Sequence, residues 1–219
     1  SSDVCSSDLI RLLPFDLKES ENIPAITDQA IGLFGEIDIT ILNGGIAQRS
    51  LTKDTTLAVD RELMEVDYFS CIAITKSLLP HLMERNKGQI VVVSSVMGII
   101  GTPFRSGYAA AKHALHGFFD TLRAEYGKEG IKVLLVCPGF VNTNVAKNSL
   151  DRNGNPIGRN NKMIENGLDP IYVSEKILSA IETGKEEILL AGAKEKFGVL
   201  MKRFAPGLFS KFISNSKLV

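Results

Sequence analysis

Apolar positions in this chain alternate between two periods. Leu12-Leu13-Pro14-Phe15 is a short apolar run that reads as a weak strand ending at Asp16. From Glu19 to Phe34 the spacing turns helical, with Ile23, Ile26, Ala30, Ile31 and Phe34 in phase and Gly35 as a stop. Ile37 to Leu42 is a near-continuous apolar stretch of the kind buried on both faces of a sheet, and Asn43-Gly44-Gly45 follows it directly. A long helical segment is predicted from Val59 to Arg85, then a second buried strand from Gln89 to Val93, ending at Ser94-Ser95. Arg105 to Tyr126 is helical, with Gly130 beyond it. Lys132 to Val136 is a third buried strand, stopped by Pro138-Gly139. Residues 142–168 are polar, rich in Asn and Gly and without a period, which predicts an excursion or lid loop. Ser174 is expected to cap a helix reaching Ile181, and Glu187 to Leu190 reads as a last strand.

Strands separated by helices of this length predict an α/β fold built on a parallel sheet with right-handed crossovers. Ligands in such sheets sit beyond the carboxyl ends of the strands, where Asn43, Ser95 and Pro138-Gly139 stand. The 219 residues suit one ordinary domain, and 44% apolar with 23% charged residues is a globular composition. Lys+Arg and Asp+Glu balance at 25 each, so no whole-chain electrostatic footprint for nucleic acid exists. No apolar run approaches the roughly 18 residues of a membrane span. Cys5, Cys71 and Cys137 are too few and too scattered for a disulfide framework or a zinc site, which points to a reducing compartment. His81, His113 and His116 have no metal-ligand companions and read as helix-surface or interface residues; no metal is expected.

Chemistry enters with Tyr108 and Lys112, four apart on a predicted helix and so on one face. Ser95 stands at the end of the preceding strand, and the short connection from Gly98 to Gly107 can bring strand end and helix start together. Hydride transfer to a ketone needs a proton donor for the developing alkoxide and a hydrogen bond that polarises the carbonyl. A free tyrosine titrates near 10, too high for proton exchange at neutral pH, and a neighbouring ammonium favours its phenolate. A Tyr and a Lys at this spacing are by themselves most often a solvated helix face. Ser95, Asn43-Gly44-Gly45 and Pro138-Gly139, each at a strand end, tip the balance towards a site.

With Asp16 after a strand, Asn43-Gly44-Gly45, Ser95, Tyr108-Ala109-Ala110-Ala111-Lys112, Pro138-Gly139 and Thr143 in that order, the chain resembles the short-chain dehydrogenase/reductase (SDR) family from about Leu12 to Leu190. Pro103-Phe104-Arg105-Ser106, Arg123-Ala124-Glu125 and Phe204-Ala205-Pro206-Gly207-Leu208-Phe209 resemble that family's member 7 and 7B subgroup. The resemblance implies a Rossmann-like doubly wound sheet and an NAD(P)-dependent oxidoreductase interconverting a ketone and a secondary alcohol. It implies Tyr108 as general acid/base, Ser95 as the residue that polarises the carbonyl, and Lys112 as the partner of both the tyrosine and the nicotinamide ribose. Asp16 would contact the adenine amino group, although an Asp in that position is also a common helix cap. Asn43 and Gly45 would lie beside the adenosine ribose, and Pro138, Gly139 and Thr143 at the nicotinamide end. NADP or NAD is the implied cofactor, with NADP ahead. A homodimer or homotetramer built on the two long helices is also implied.

Two departures from the family stand out. Asp67, in Glu65-Val66-Asp67-Tyr68-Phe69, occupies the place of an Asn whose main-chain carbonyl holds a proton-relay water. A carboxylate there would add negative charge near Lys112 and favour its charged form. The glycine-rich phosphate loop, Thr-Gly-x-x-x-Gly-x-Gly, and the βαβ unit around it have no counterpart in this sequence, so the chain is expected to bind cofactor poorly. The alternative is a catalytically silent scaffold, or an inactive fragment, which would have no need to keep Ser95, Tyr108 and Lys112 together.

Both ends of the chain carry their own signals. Residues 1–9, SSDVCSSDL, have no period and read as a translated sequencing adapter rather than native sequence. Residues 10–193 form the expected catalytic domain, truncated at its start. Residues 194–219 carry Lys194, Lys196, Lys202, Arg203, Lys211 and Lys217 against Glu195, with Phe197, Leu200, Phe204, Leu208 and Phe212 among the apolar residues between them. Three uses fit this segment: lying on an anionic membrane, closing over a substrate pocket, or packing on a partner subunit. A lipid-like or steroid-like carbonyl is the expected substrate, and the expected location is the cytoplasm or a membrane facing the cytosol.

Overall fold

The computed structural model describes residues 10–159 and 162–215. The adapter-like residues 1–9 and Lys217 lie outside the described residues. Four parallel strands, β1 (Ile39–Leu42), β2 (Gly88–Val93), β3 (Ile131–Pro138) and β4 (Glu187–Leu190), pair in the order β1-β2-β3-β4. Helix α1 (Ile23–Phe34) precedes β1 and closes on Gly35 in the left-handed conformation, φ 83°, where a side chain would be strained. Helices α2 (Leu57–Met64) and α3 (Ser70–Glu84) connect β1 to β2, and α4 (Ser106–Tyr126) connects β2 to β3. A short turn α5 (Lys162–Glu165) and helix α6 (Pro170–Glu182) lead to β4; α7 (Ala193–Phe204) and α8 (Pro206–Ser214) follow it.

Alternation along each strand builds three layers. Leu42, Ile90, Val92, Val133 and Leu135 face one way, against Leu78 and Leu82 of α3 and Leu115, Phe119 and Leu122 of α4. Val91, Leu134 and Val136 face the other way, against Ala180 and its neighbours Ile177 and Ile181 on α6. The predicted parallel α/β architecture is therefore present, with α3 and α4 on one side of the sheet and α6 on the other.

Several local expectations change. Leu12–Phe15 forms no strand; Leu12 is 86% exposed, and an unpaired strand would leave its backbone groups without partners. β1 is an edge of the sheet, and no helix among the described residues covers the face that carries Ile39 and Ile41, so both stand exposed and its burial is one-sided rather than two-sided. The long Val59–Arg85 segment is interrupted by a π-helical turn at Glu65–Phe69, invisible to a 3.6-residue period. β3 runs on through Pro138, which pairs with Leu190 of β4. The cap of α6 is Asp169, whose carboxylate accepts from Ile171 N at 2.9 Å, while Ser174 donates back to Pro170 O within the helix. The polar excursion after β3 is pinned by bridges from Val141 to Leu168 and from Gln48 to Leu150.

Phe119 is fully buried between α4 and the sheet. Phe119→Ala should cost about 3–5 kcal/mol in urea denaturation; a loss below about 1 kcal/mol would show that this layer contact does not hold the fold.

Candidate active site

The carboxyl ends of the strands open into one cavity of about 710 Å³. Asn43 and Gly45 reach it from the end of β1, Ser95 from the end of β2, and Pro138 and Gly139 from the end of β3. Tyr108 and Lys112 reach it from the first turns of α4, and Thr143 from the excursion after β3. Eight of the ten residues singled out in the sequence thus line one space. Asp67 and Asp16 are the other two. Asp67 lies behind the cavity wall. Asp16 is exposed and outside the cavity lining, its carboxylate accepting from Lys18 N at 2.9 Å in a local turn.

Local backbone explains how the polar groups are aimed. Ser95 leaves β2 in extended conformation and caps a short 3-10 turn, Val96–Gly98. Its Oγ accepts from Met97 N at 3.1 Å and donates to Pro138 O at 3.4 Å. Tyr108 sits in the first turn of α4, and among the described residues its hydroxyl has no hydrogen-bond partner, leaving it open to the cavity. One turn later, Lys112 Nζ lies 5.7 Å from the centroid of the Tyr108 ring.

Lys112 and Asp67 form a buried pair. Lys112 Nζ stands 3.8 Å from Asp67 Oδ2 and donates to Val93 O at 3.3 Å, with side-chain exposures of 5% and 0% for Lys112 and Asp67. Asp67 Oδ1 accepts from Ile46 N at 2.7 Å, whereas Oδ2 has no hydrogen bond of its own. Burial acts against the Lys112 ammonium, but the charge of Asp67, followed by Tyr108 and Cys71, overcomes it and holds Lys112 above its ordinary 10.5. Burial also pushes the Asp67 carboxyl upward, opposed by the Lys112 charge and the Ile46 N–H. Asp67 O accepts from the Cys71 thiol at 3.6 Å, while its side chain addresses the lysine. A Cβ on Gly45 would lie 2.9 Å from Asp67 Oδ1 and 3.4 Å from Lys112 Nζ, so only glycine lets the backbone run against the pair.

The donor set suits the nicotinamide-ribose end of a dinucleotide. Lys112 lines the cavity with N–H donors beyond the one given to Val93 O, and the bare Gly45 backbone lies beside its Nζ.

Other lining residues were not foreseen. Arg49 and Arg105 enter the cavity, and Arg105 Nη1 donates to Gln48 O at 3.0 Å. Phe104 takes a positive φ of 66°, rare for an aromatic residue, and its place before Tyr108 was the available signal. His116, expected on a helix surface, is instead partly buried, with Nε2 3.1 Å from Ser94 Oγ and 3.6 Å from Cys137 Sγ. Burial lowers His116 and pushes the Cys137 thiol up to about 12.

Comparison with known proteins agrees with the geometry. A family model described as short chain dehydrogenase matches residues 4–154. Dehydrogenase/reductase SDR family member 7B of Mus musculus is 37% identical over 204 residues, which are 93% of this chain and 63% of that protein. The chain thus spans less than two thirds of that relative. A short-chain dehydrogenase from Streptomyces avermitilis superposes with a TM-score of 0.76 at 28% identity, covering 93% of this chain and 79% of the other. A gluconate 5-dehydrogenase from Burkholderia cenocepacia, crystallised with NADP and tartrate, matches at 26% identity with a TM-score of 0.58, covering 61% and 52%.

A double-mutant cycle measures the buried pair. Asp67→Asn and Lys112→Met should each destabilise, and the double variant should lose less than their sum by about 1–3 kcal/mol in urea denaturation. Additive losses would mean that the two side chains do not interact.

Proposed function

The chain belongs to the short-chain dehydrogenase/reductase family, and on that premise we propose that it interconverts a ketone and a secondary alcohol with a nicotinamide dinucleotide. The observation that carries this reading is the convergence of Ser95, Tyr108 and Lys112 on one cavity at the strand ends. The bound dinucleotide supplies or receives the hydride. Tyr108 holds the proton that the substrate oxygen gains or loses, and its uncommitted hydroxyl suits that task. Ser95 donates to the same oxygen and polarises the carbonyl, giving up its long bond to Pro138 O. Lys112 places positive charge beside the Tyr108 ring, where it stabilises negative charge developing on the phenol oxygen, and offers its remaining N–H groups to the ribose hydroxyls.

Asp67 acts through Lys112 and is a positioning residue: it keeps the ammonium charged despite burial. Asn43 and Gly45 would hold the dinucleotide beside its adenosine ribose, and Pro138, Gly139 and Thr143 would border its nicotinamide. NAD and NADP both remain within this reading. A lipid-like carbonyl suits the cavity, because Ile100, Phe140, Val173, Ile177 and Phe209 line it while Glu195 is its one acid among the described residues. Self-association through α3 and α4 belongs to the same reading, as does peripheral membrane contact through residues 194–219. No helix among the described residues is long and apolar enough to cross a membrane.

The test is oxidation of NADPH and of NADH by the full-length gene product on a panel of apolar ketones. Wild type should turn over, and Tyr108→Phe should lose about 10²–10⁴-fold. An inactive wild type, or a Tyr108→Phe variant as active as wild type, would instead support the catalytically silent scaffold.

A further inference from the structure

Helix α7 has a fixed inner side. Lys202 Nζ donates to Ile99 O at 2.7 Å and stands 3.3 Å from His113 Nε2, and Gly198 is buried beside Ile100 and Phe209. Its outer side is apolar as well. Phe197, Leu200 and Phe204, spaced i, i+3 and i+7, are 56%, 57% and 80% exposed. On α8, Leu208 is 63% and Phe212 45% exposed, and the Phe197 and Phe212 rings meet edge to face at 6.4 Å. That contact joins the outer sides of the two helices into one strip. Scattered exposed apolar side chains are ordinary on a protein surface; five gathered on two adjoining helices mark an interaction surface.

Charge selects the occupant. Lys196 and Arg203 each precede a residue of the strip and run along one of its flanks, Lys194 lies on the other, and Lys211 is exposed on α8. Between residues 193 and 215 only Glu195 opposes them. A second copy docked by a two-fold axis would bring this cationic face against the same cationic face, with only Glu195 to offset it. An anionic lipid surface would neutralise them while taking up the aromatic strip. The strip also adjoins the cavity, since Phe212 is both half-exposed and part of the cavity wall, beside Phe209 and Ile213.

We propose that α7 and α8 form a docking face for anionic bilayers, and that the apolar substrate enters the cavity from the bilayer past Phe212. The docking stands on the surface alone; the entry route rests on the oxidoreductase reading above.

Vesicle flotation of the full chain, with phosphatidylcholine alone or mixed with phosphatidylserine, tests the docking. Wild type should float with the phosphatidylserine vesicles, less so as salt is raised. Phe204→Glu/Leu208→Glu should weaken this at least about tenfold, and Lys196→Glu/Arg203→Glu should weaken it too. Both pairs are exposed, so thermal unfolding should match wild type. Tyr108→Phe should float like wild type, which separates docking from catalysis. Failure of wild type to float, or equal flotation of wild type and the surface variants, would overturn the docking. So would a wild-type dimer in sedimentation equilibrium that Phe204→Glu/Leu208→Glu dissociates, because a second copy would then cover the strip. For the entry route, Phe204→Glu/Leu208→Glu should slow turnover of a vesicle-dissolved ketone and spare that of a water-soluble one. Equal effects on both ketones would overturn it.

Discussion

The site depends on keeping a charged lysine in a place nearly closed to solvent. Lys112 is nearly sealed from solvent, and an ammonium there is costly unless an opposite charge shares its surroundings. Asp67 supplies that charge from a helix on the other side of the cavity floor, and Ile46 N–H fixes the carboxylate in turn. Much of the local backbone follows from this pair. The π-helical turn at Glu65–Phe69 places Asp67 at the pair, Gly45 passes without a side chain to collide with it, and Val93 O at the end of β2 accepts a hydrogen bond from Lys112. Tyr108 then has a positive charge near its ring and a hydroxyl free for a ligand.

Two kinds of sequence information behaved differently. Spacing and strand-end position are local, so the pairing of Tyr108 with Lys112, and the approach of Ser95 and Pro138 to one space, were legible before any coordinates. The alternating layers were legible for the same reason, since β2 and β3 are buried on both faces and read as unbroken apolar runs. Features set by neighbours in space were not. The exposure of Ile39 and Ile41 depends on what packs over their face of β1, which no residue of β1 encodes. The π turn adds a residue without disturbing composition. Asp169 outcompetes Ser174 as a cap because it stands one residue before Pro170, where the helix starts. Asp67 could be picked out as a departure, but its direct address to Lys112 required knowing where α4 lies.

The cavity joins two chemically different ends. At the strand ends it is polar and ordered around the lysine pair; towards α6 and α8 it is lined by Val173, Ile177, Phe209 and Phe212. Such a gradient suits a substrate with one reactive oxygen and an apolar body. The α7–α8 helices have a double duty in this scheme. Their inner side packs on Val96 and Ile100 and closes the apolar end, and their outer side extends that apolarity to the surface.

The central claim is that Asp67 keeps Lys112 charged inside the protein. Side-chain NMR of isotopically labelled lysine, titrated into the alkaline range, reads this directly. Lys112 should hold its proton beyond its ordinary 10.5 in the wild type, and Asp67→Asn should bring its titration down. A wild-type Lys112 that titrates at or below 10.5, or one that Asp67→Asn leaves unmoved, would contradict the account.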